Sequence, residues 1–155
     1  MRRPHKSTER VFEDFKYNSK KVSKFINYIM LDGKKSVATK IVYDAFDIIE
    51  EKTGEKAIEI FDTAIKNVGP EMEVKSRRVG GANYQVPIPV DEKRQLALAF
   101  RWIIGFARDG KGQAISKILA NLLIESSKNE GAAVKKKENT HKMAEANKAF
   151  AHFAW

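Results

Sequence analysis

The chain of 155 residues contains no cysteine. That excludes disulfides and thiolate metal sites, and it is compatible with a reducing compartment. Long apolar runs are missing too. None approaches the ~20 residues that a membrane-spanning helix requires, and the stretch from Met1 to Lys16 lacks the apolar core of a signal peptide. A soluble, cytoplasmic protein with no membrane partner is the expectation.

Groups for catalysis are as scarce as thiols. Of three histidines, His5 stands alone in a basic stretch, and His141 and His152 are too far apart for a His-x-x-x-His metal pair. Glu50-Glu51 and Asp44-Asp47 have the spacing of solvated helix faces. Gly80-Gly81 is not followed by a helix with a phosphate-loop lysine, and Gly110-Lys111-Gly112 is too short to cradle a phosphate. No enzyme activity, cofactor or metal is expected, and no residue qualifies as catalytic.

What the chain does have is apolar mass and positive charge. Hydrophobic residues make up 43%, enough for one ordinary domain with a core and too many for a disordered chain. Lys and Arg number 29 against 20 Asp and Glu, a formal net charge of +9. Such an excess points to a polyanionic partner and is silent about fold.

Most of the chain reads as helix. Asn18-Ser19 can cap a first helix, followed by the stripe Val22, Phe25, Ile26, Ile29 and Met30, and Asp32-Gly33 ends it. Lys34-Lys35 opens a second helix to about Glu51, whose apolar set from Val37 to Ile49 covers over half the circumference and predicts a central position. Ala57 to Val68 forms a third stripe, closed by Gly69-Pro70. Asp91 is a plausible cap for a fourth helix, which Leu96 to Phe106 make almost wholly buried, with Arg101 and Arg108 standing out of the apolar run and Trp102 expected in the core. A fifth helix carries Ile115, Ile118, Leu119, Leu122 and Leu123, and a weakly amphipathic, basic sixth follows Gly131. The fold class is mostly α, one domain over residues 1–155 with about six helices. Residues 1–17 read as a flexible basic arm, whose root Phe12 and Phe15 are candidates to pin, and 132–155 as a basic C-terminal helix and tail. Phe150, Phe153 and Trp155 there can stack on bases or anchor the tail, and packing is the more frequent outcome.

Residues 72–90 break the helical pattern. Two β-prone runs flank Gly80-Gly81, which predicts a two-stranded hairpin arm protruding between the third and fourth helices. Register follows from loop parity. A three-residue loop, Gly80-Gly81-Ala82, sets Tyr84, Val86 and Ile88 opposite Arg78, Ser76 and Val74 and gathers the apolar residues on one face. It leaves Lys75, Arg77, Asn83 and Gln85 on the other, and we expect this loop rather than the two-residue one. Pro87 and Pro89 cannot donate to a ladder, so the strand cannot lie inside a larger sheet. The stretch alone suits a nucleic-acid-binding arm and a solvated surface hairpin equally.

The basic groups are sorted, not scattered. They gather at Arg2, Arg3, Lys6 and Arg10, at Lys20-Lys21, at Lys34-Lys35, on the hairpin, and at Lys135, Lys136 and Lys137 with Lys142 beyond, whereas acids concentrate from Asp44 to Glu59. A basic face binds a phosphate backbone through counterion release. No helix-turn-helix, zinc-finger or basic-zipper pattern fits, and folded RNA suits several separate basic patches. A DNA-binding architectural protein with a basic β-ribbon arm is the alternative.

The run from Arg77-Arg78-Val79-Gly80-Gly81-Ala82-Asn83-Tyr84 to Gln85-Val86-Pro87 resembles the hairpin signature of the family of ribosomal small-subunit protein seven, bacterial type. Tyr17-Asn18-Ser19-Lys20, Asp32-Gly33-Lys34-Lys35, Ile41-Val42-Tyr43, Leu96-Ala97-Leu98 with Arg101-Trp102, and Glu130 to His152 resemble it in the same order. The departure is at the start, where Val11 to Lys16 replaces a Pro-Asp-Pro-like turn. The resemblance implies a structural protein of the small subunit that binds the 3′ major domain of its ribosomal RNA and starts head assembly. It would lie near exit-site tRNA and messenger RNA, beside small-subunit proteins nine and eleven, in a cytoplasmic ribosome or, alternatively, an organellar one. No homo-oligomer is expected. RNA-binding residues carried over by motif or drawn from the basic patches are Arg2, Arg3, Lys6, Arg10, Lys20, Lys34, Lys35, Lys75, Arg77, Arg78, Gly80, Gly81, Asn83, Tyr84, Arg101, Lys135, Lys136, Lys137 and Lys142.

Overall fold

Helices start and stop where the side-chain chemistry changes. The computed structural model describes residues 12–154. The first helix, α1 (Lys20–Ile29), begins at Ser19, whose hydroxyl accepts a hydrogen bond from the Val22 amide at 3.5 Å. Next come α2 (Lys35–Thr53) and α3 (Ala57–Val68), then the strands β1 (Met72–Val79) and β2 (Ala82–Pro89). The chain returns to helix in α4 (Glu92–Asp109), α5 (Ile115–Ser127) and α6 (Ala132–Ala146), and ends in a 3-10 segment, Lys148–Phe153. The mostly helical class and the antiparallel hairpin between the third and fourth helices are as the sequence predicts. Asp91 occupies the N-cap position of α4, but its side chain makes no capping hydrogen bond.

The core is an aromatic cluster at the meeting point of four helices. Phe61 of α3 lies 5.1 Å from Phe25 of α1, 5.4 Å from Phe46 of α2 and 6.3 Å from Phe100 of α4, ring centre to ring centre. All four rings are fully buried, and α5 closes the floor with Leu119, Ala120 and Leu123. Burying a side chain of this size stabilises the fold by roughly 1.5–3 kcal/mol. The centre is therefore α3. We expected α2 there, but only one of its faces is buried and Val37 is exposed.

Helix α4 likewise departs from the expected full burial. Ala99, Phe100, Ile103, Ile104 and Ala107 form its buried face, while Trp102 and Phe106 are only partly covered and Arg101 is exposed. An apolar run can exceed the area its neighbours offer; the surplus then sits at the rim.

The segment before α1 is pinned by a carboxylate. Asp14 accepts hydrogen bonds from the amides of Lys16 and Tyr17 at 3.1 and 3.2 Å and from the Tyr43 hydroxyl at 3.0 Å. Burial, then the bond to Asp14, raises the Tyr43 phenol above its ordinary value. The Tyr17 ring meets Phe46 edge-on at 5.1 Å. Phe12 and Phe15, the candidates for this anchoring, are instead 79% and 98% exposed. An aspartate that satisfies two backbone donors makes the turn without the flanking prolines.

Candidate nucleic-acid interface

The hairpin turns on two residues. Gly80 and Gly81 have φ of +58° and +92°, and two consecutive positive-φ positions make the tight turn whose twist matches the strands. Val79 pairs with Ala82, Arg78 with Asn83, Arg77 with Tyr84, Ser76 with Gln85 and Lys75 with Val86. This corrects the three-residue loop expected from apolar pairing. It also exchanges the company of the two arginines, because directly opposed residues share a face.

The inner face of the ribbon carries Glu73, Lys75, Arg77, Tyr84, Val86 and Ile88, and it is covered by α6 and the 3-10 segment. Val86 is fully buried. The Tyr84 ring packs 5.2 Å from Phe150 and 5.1 Å from Phe153, and Arg77 donates to the Phe153 carbonyl. Lys75 pairs with Glu73 at 3.0 Å, and Arg94 of α4 reaches the same carboxylate at 2.7 Å. Burial pushes the Glu73 carboxyl up, but the hydrogen bonds from Arg94 and Lys75 outweigh it and hold the group below its ordinary range. Charged residues tolerate this face because their stems pack while their heads find partners.

The outer face is different. Ser76, Arg78, Asn83 and Gln85 are all exposed there, with Arg78 directly opposite Asn83 and Ser76 opposite Gln85. A guanidinium and two amides on one face of the ribbon offer donors to phosphates and to base edges. Pro87 is buried and Pro89 exposed at the base of β2, which is an edge strand, as the prolines require, of a sheet with two strands among the described residues.

On α6 the lysine run divides. Lys135 and Lys136 are exposed, whereas Lys137 turns inward and donates to the Asn67 carbonyl at the end of α3 at 2.9 Å. Lys137 thus ties α6 to the body. His141 does similar work at the ribbon's base, its Nε2 accepting from the Glu71 amide at 3.0 Å. Lys142 is exposed.

The remaining nominated residues lie at other places. Lys34 and Lys35 stand exposed at the start of α2. Lys34 shares the lining of an apolar groove of about 300 Å3 with Leu31, Val37 and Arg108, the last donating to the Ile29 carbonyl at 3.1 Å. Arg101 is exposed on α4, and Lys20 makes a loose, exposed pair with Glu13 at 3.7 Å. Arg2, Arg3, Lys6 and Arg10, with Trp155, lie outside the described residues. The ribbon and α6 are thus brought together, and Lys34 and Arg108 line one groove. Sequence reasoning missed Arg94, Arg108 and His141. Only Arg108 left a signal, as a cation interrupting an apolar run. The acids from Asp44 to Glu59 are exposed on α2, on α3 and in the turn between them, and Lys16 pairs with Asp47 of α2 at 2.8 Å.

No group of acids and histidines that could hold a metal occurs among the described residues, and no helix among them is long and apolar enough to cross a membrane. The family model described as ribosomal protein S7p/S5e matches residues 1–148. The chain is similar to the small ribosomal subunit protein uS7 of Mesoplasma florum, 56% identical over 155 residues and all of both chains. It is 54% identical to the uS7 of a Thermoanaerobacter species over 154 residues, 99% of each chain. With the uS7 of Treponema denticola the identity is 59% over 145 residues, 94% of this chain and 93% of that one. The chain belongs to the ribosomal protein S7p/S5e family, whose members are structural, non-enzymatic components of the ribosome.

Proposed function

We propose that this chain is a structural RNA-binding protein of the small ribosomal subunit, acting as a single RNA-binding domain over residues 1–155. It binds the 3′ major domain of small-subunit ribosomal RNA directly and nucleates assembly of the head. The observation that carries this reading is the outer face of the ribbon. Arg78 stands exposed there beside Asn83 and Gln85, while the inner-face cations Lys75 and Arg77 are bound to protein groups. Exposed Lys34, Lys35, Arg101, Lys135, Lys136 and Lys142 extend the contact beyond the arm. The work is done by binding, because neutralising phosphates releases counterions and fixes the RNA's path without a chemical step.

By the family resemblance, the arm lies close to exit-site tRNA and messenger RNA, and small-subunit proteins nine and eleven are neighbours in a cytoplasmic ribosome. Crosslinking the full chain to small-subunit ribosomal RNA and mapping the joined nucleotides tests the reading. Crosslinks from the ribbon and α6 confined to the 3′ major domain are the expected result. Crosslinks spread evenly over the RNA would overturn it.

A further inference from the structure

The two neighbouring arginines of the hairpin face opposite ways. Arg77 and Tyr84 are directly opposed on the inner face. There Tyr84 holds Phe150 and Phe153 at 5.2 and 5.1 Å, and Arg77 donates to the Phe153 carbonyl. Arg78 projects from the outer face opposite Asn83. A two-stranded ribbon is marginal in water on its own. This one is covered on one side by the end of its own chain, 76 residues after Arg77.

We infer that Arg77 and Tyr84 are positioning residues, a clamp that seats the 3-10 segment on the ribbon and so holds the outer face of Ser76, Arg78, Asn83 and Gln85 in order for RNA. The proposal rests on the RNA-binding reading above. It assigns the tail's phenylalanines to the arm rather than to nucleobases, and it divides the arginine pair into one inward anchor and one RNA contact. The benefit is preorganisation: an arm already ordered loses less conformational entropy when RNA docks.

Two readouts on the full chain test this, amide hydrogen exchange without RNA and affinity for folded small-subunit RNA across a salt series. Phe150→Ser with Phe153→Ser leaves net charge unchanged. It should speed exchange of the β1 and β2 ladder amides by roughly tenfold or more while α3 amides stay protected. The same variant should weaken RNA binding by roughly three- to tenfold at constant salt slope. Arg78→Ala should do the reverse, leaving ladder exchange unchanged and reducing the salt slope by about one. Tyr84→Phe keeps the ring and should match the parent in both readouts, whereas Tyr84→Ala should follow the double phenylalanine variant. Unchanged ladder exchange in the double variant would overturn the clamp, and faster exchange with unchanged affinity would overturn its service to binding. Failure of the parent chain to bind folded RNA would sink the RNA-binding reading, while the exchange data would still decide whether the clamp exists.

Discussion

In the helical body, phenylalanines from four helices meet around Phe61, and each is fully buried. In the arm, one tyrosine is covered by two phenylalanines from the far end of the chain, and charged stems fill much of the rest. The body draws its burial from many helices at once. The arm is covered on one face only, by α6 and the 3-10 segment, so its order can be lost while the body stays folded. A region built that way suits a surface that must be presented, and a region built like the body suits a scaffold that must not move.

The largest effects are expected in the body. Phe61→Ala should cost about 3–5 kcal/mol, the range for a buried phenylalanine truncation, read as a lower chemical-denaturation midpoint. Leu119→Ala, at a side chain 1% exposed, should cost roughly 2–5 kcal/mol. An effect within noise at either position would deny the body its scaffold role. Asp14→Ala strands the Lys16 and Tyr17 amides and the Tyr43 hydroxyl, and should cost about 1–3 kcal/mol in the same measurement. Arg77→Ala combined with Arg78→Ala sharpens the contrast. It should weaken RNA binding while the melting temperature of the body stays nearly unchanged, and a large drop would mean the arm supports the helices.

The smallest expected effect lies where arm and body touch. Glu73 is held below its ordinary value of 4.5 by Arg94 and Lys75 against the opposing effect of burial. Its contribution to stability is therefore present above that ordinary value and is lost as pH falls through the lowered one. Acid titration followed by circular dichroism should show a shallower decline below about pH 4.5 in Glu73→Gln than in the parent. An identical acid limb would mean that the charge cluster contributes nothing.

How much of this was legible in the sequence follows the same division. The stripes of α1, α3 and α5 and the Ser19 cap were readable because helix burial is set by neighbours three and four residues away. The centrality of α3 over α2, and the rim position of Trp102, were not, since periodicity measures how apolar a helix is and not how much cover its partners supply. Hairpin register failed for a sharper reason. Pairing apolar with apolar assumed that the body buries an apolar face, yet α6 and the 3-10 segment cover a face that carries Glu73, Lys75 and Arg77, and the two positive-φ glycines make the short turn. Among the nominated cations, Arg78, Lys135 and Lys136 stand free in solvent, whereas Lys137 and Arg77 are committed to backbone carbonyls. Residue type shows charge, but only the fold shows which charge is already spoken for.

The most direct test of the account is binding of the full chain to a folded fragment of small-subunit ribosomal RNA and to duplex DNA of equal length, over one salt series. Affinity for the RNA should be tighter by roughly tenfold or more at every salt concentration, with log K falling linearly as log salt rises. Equal affinity for the two nucleic acids would contradict it.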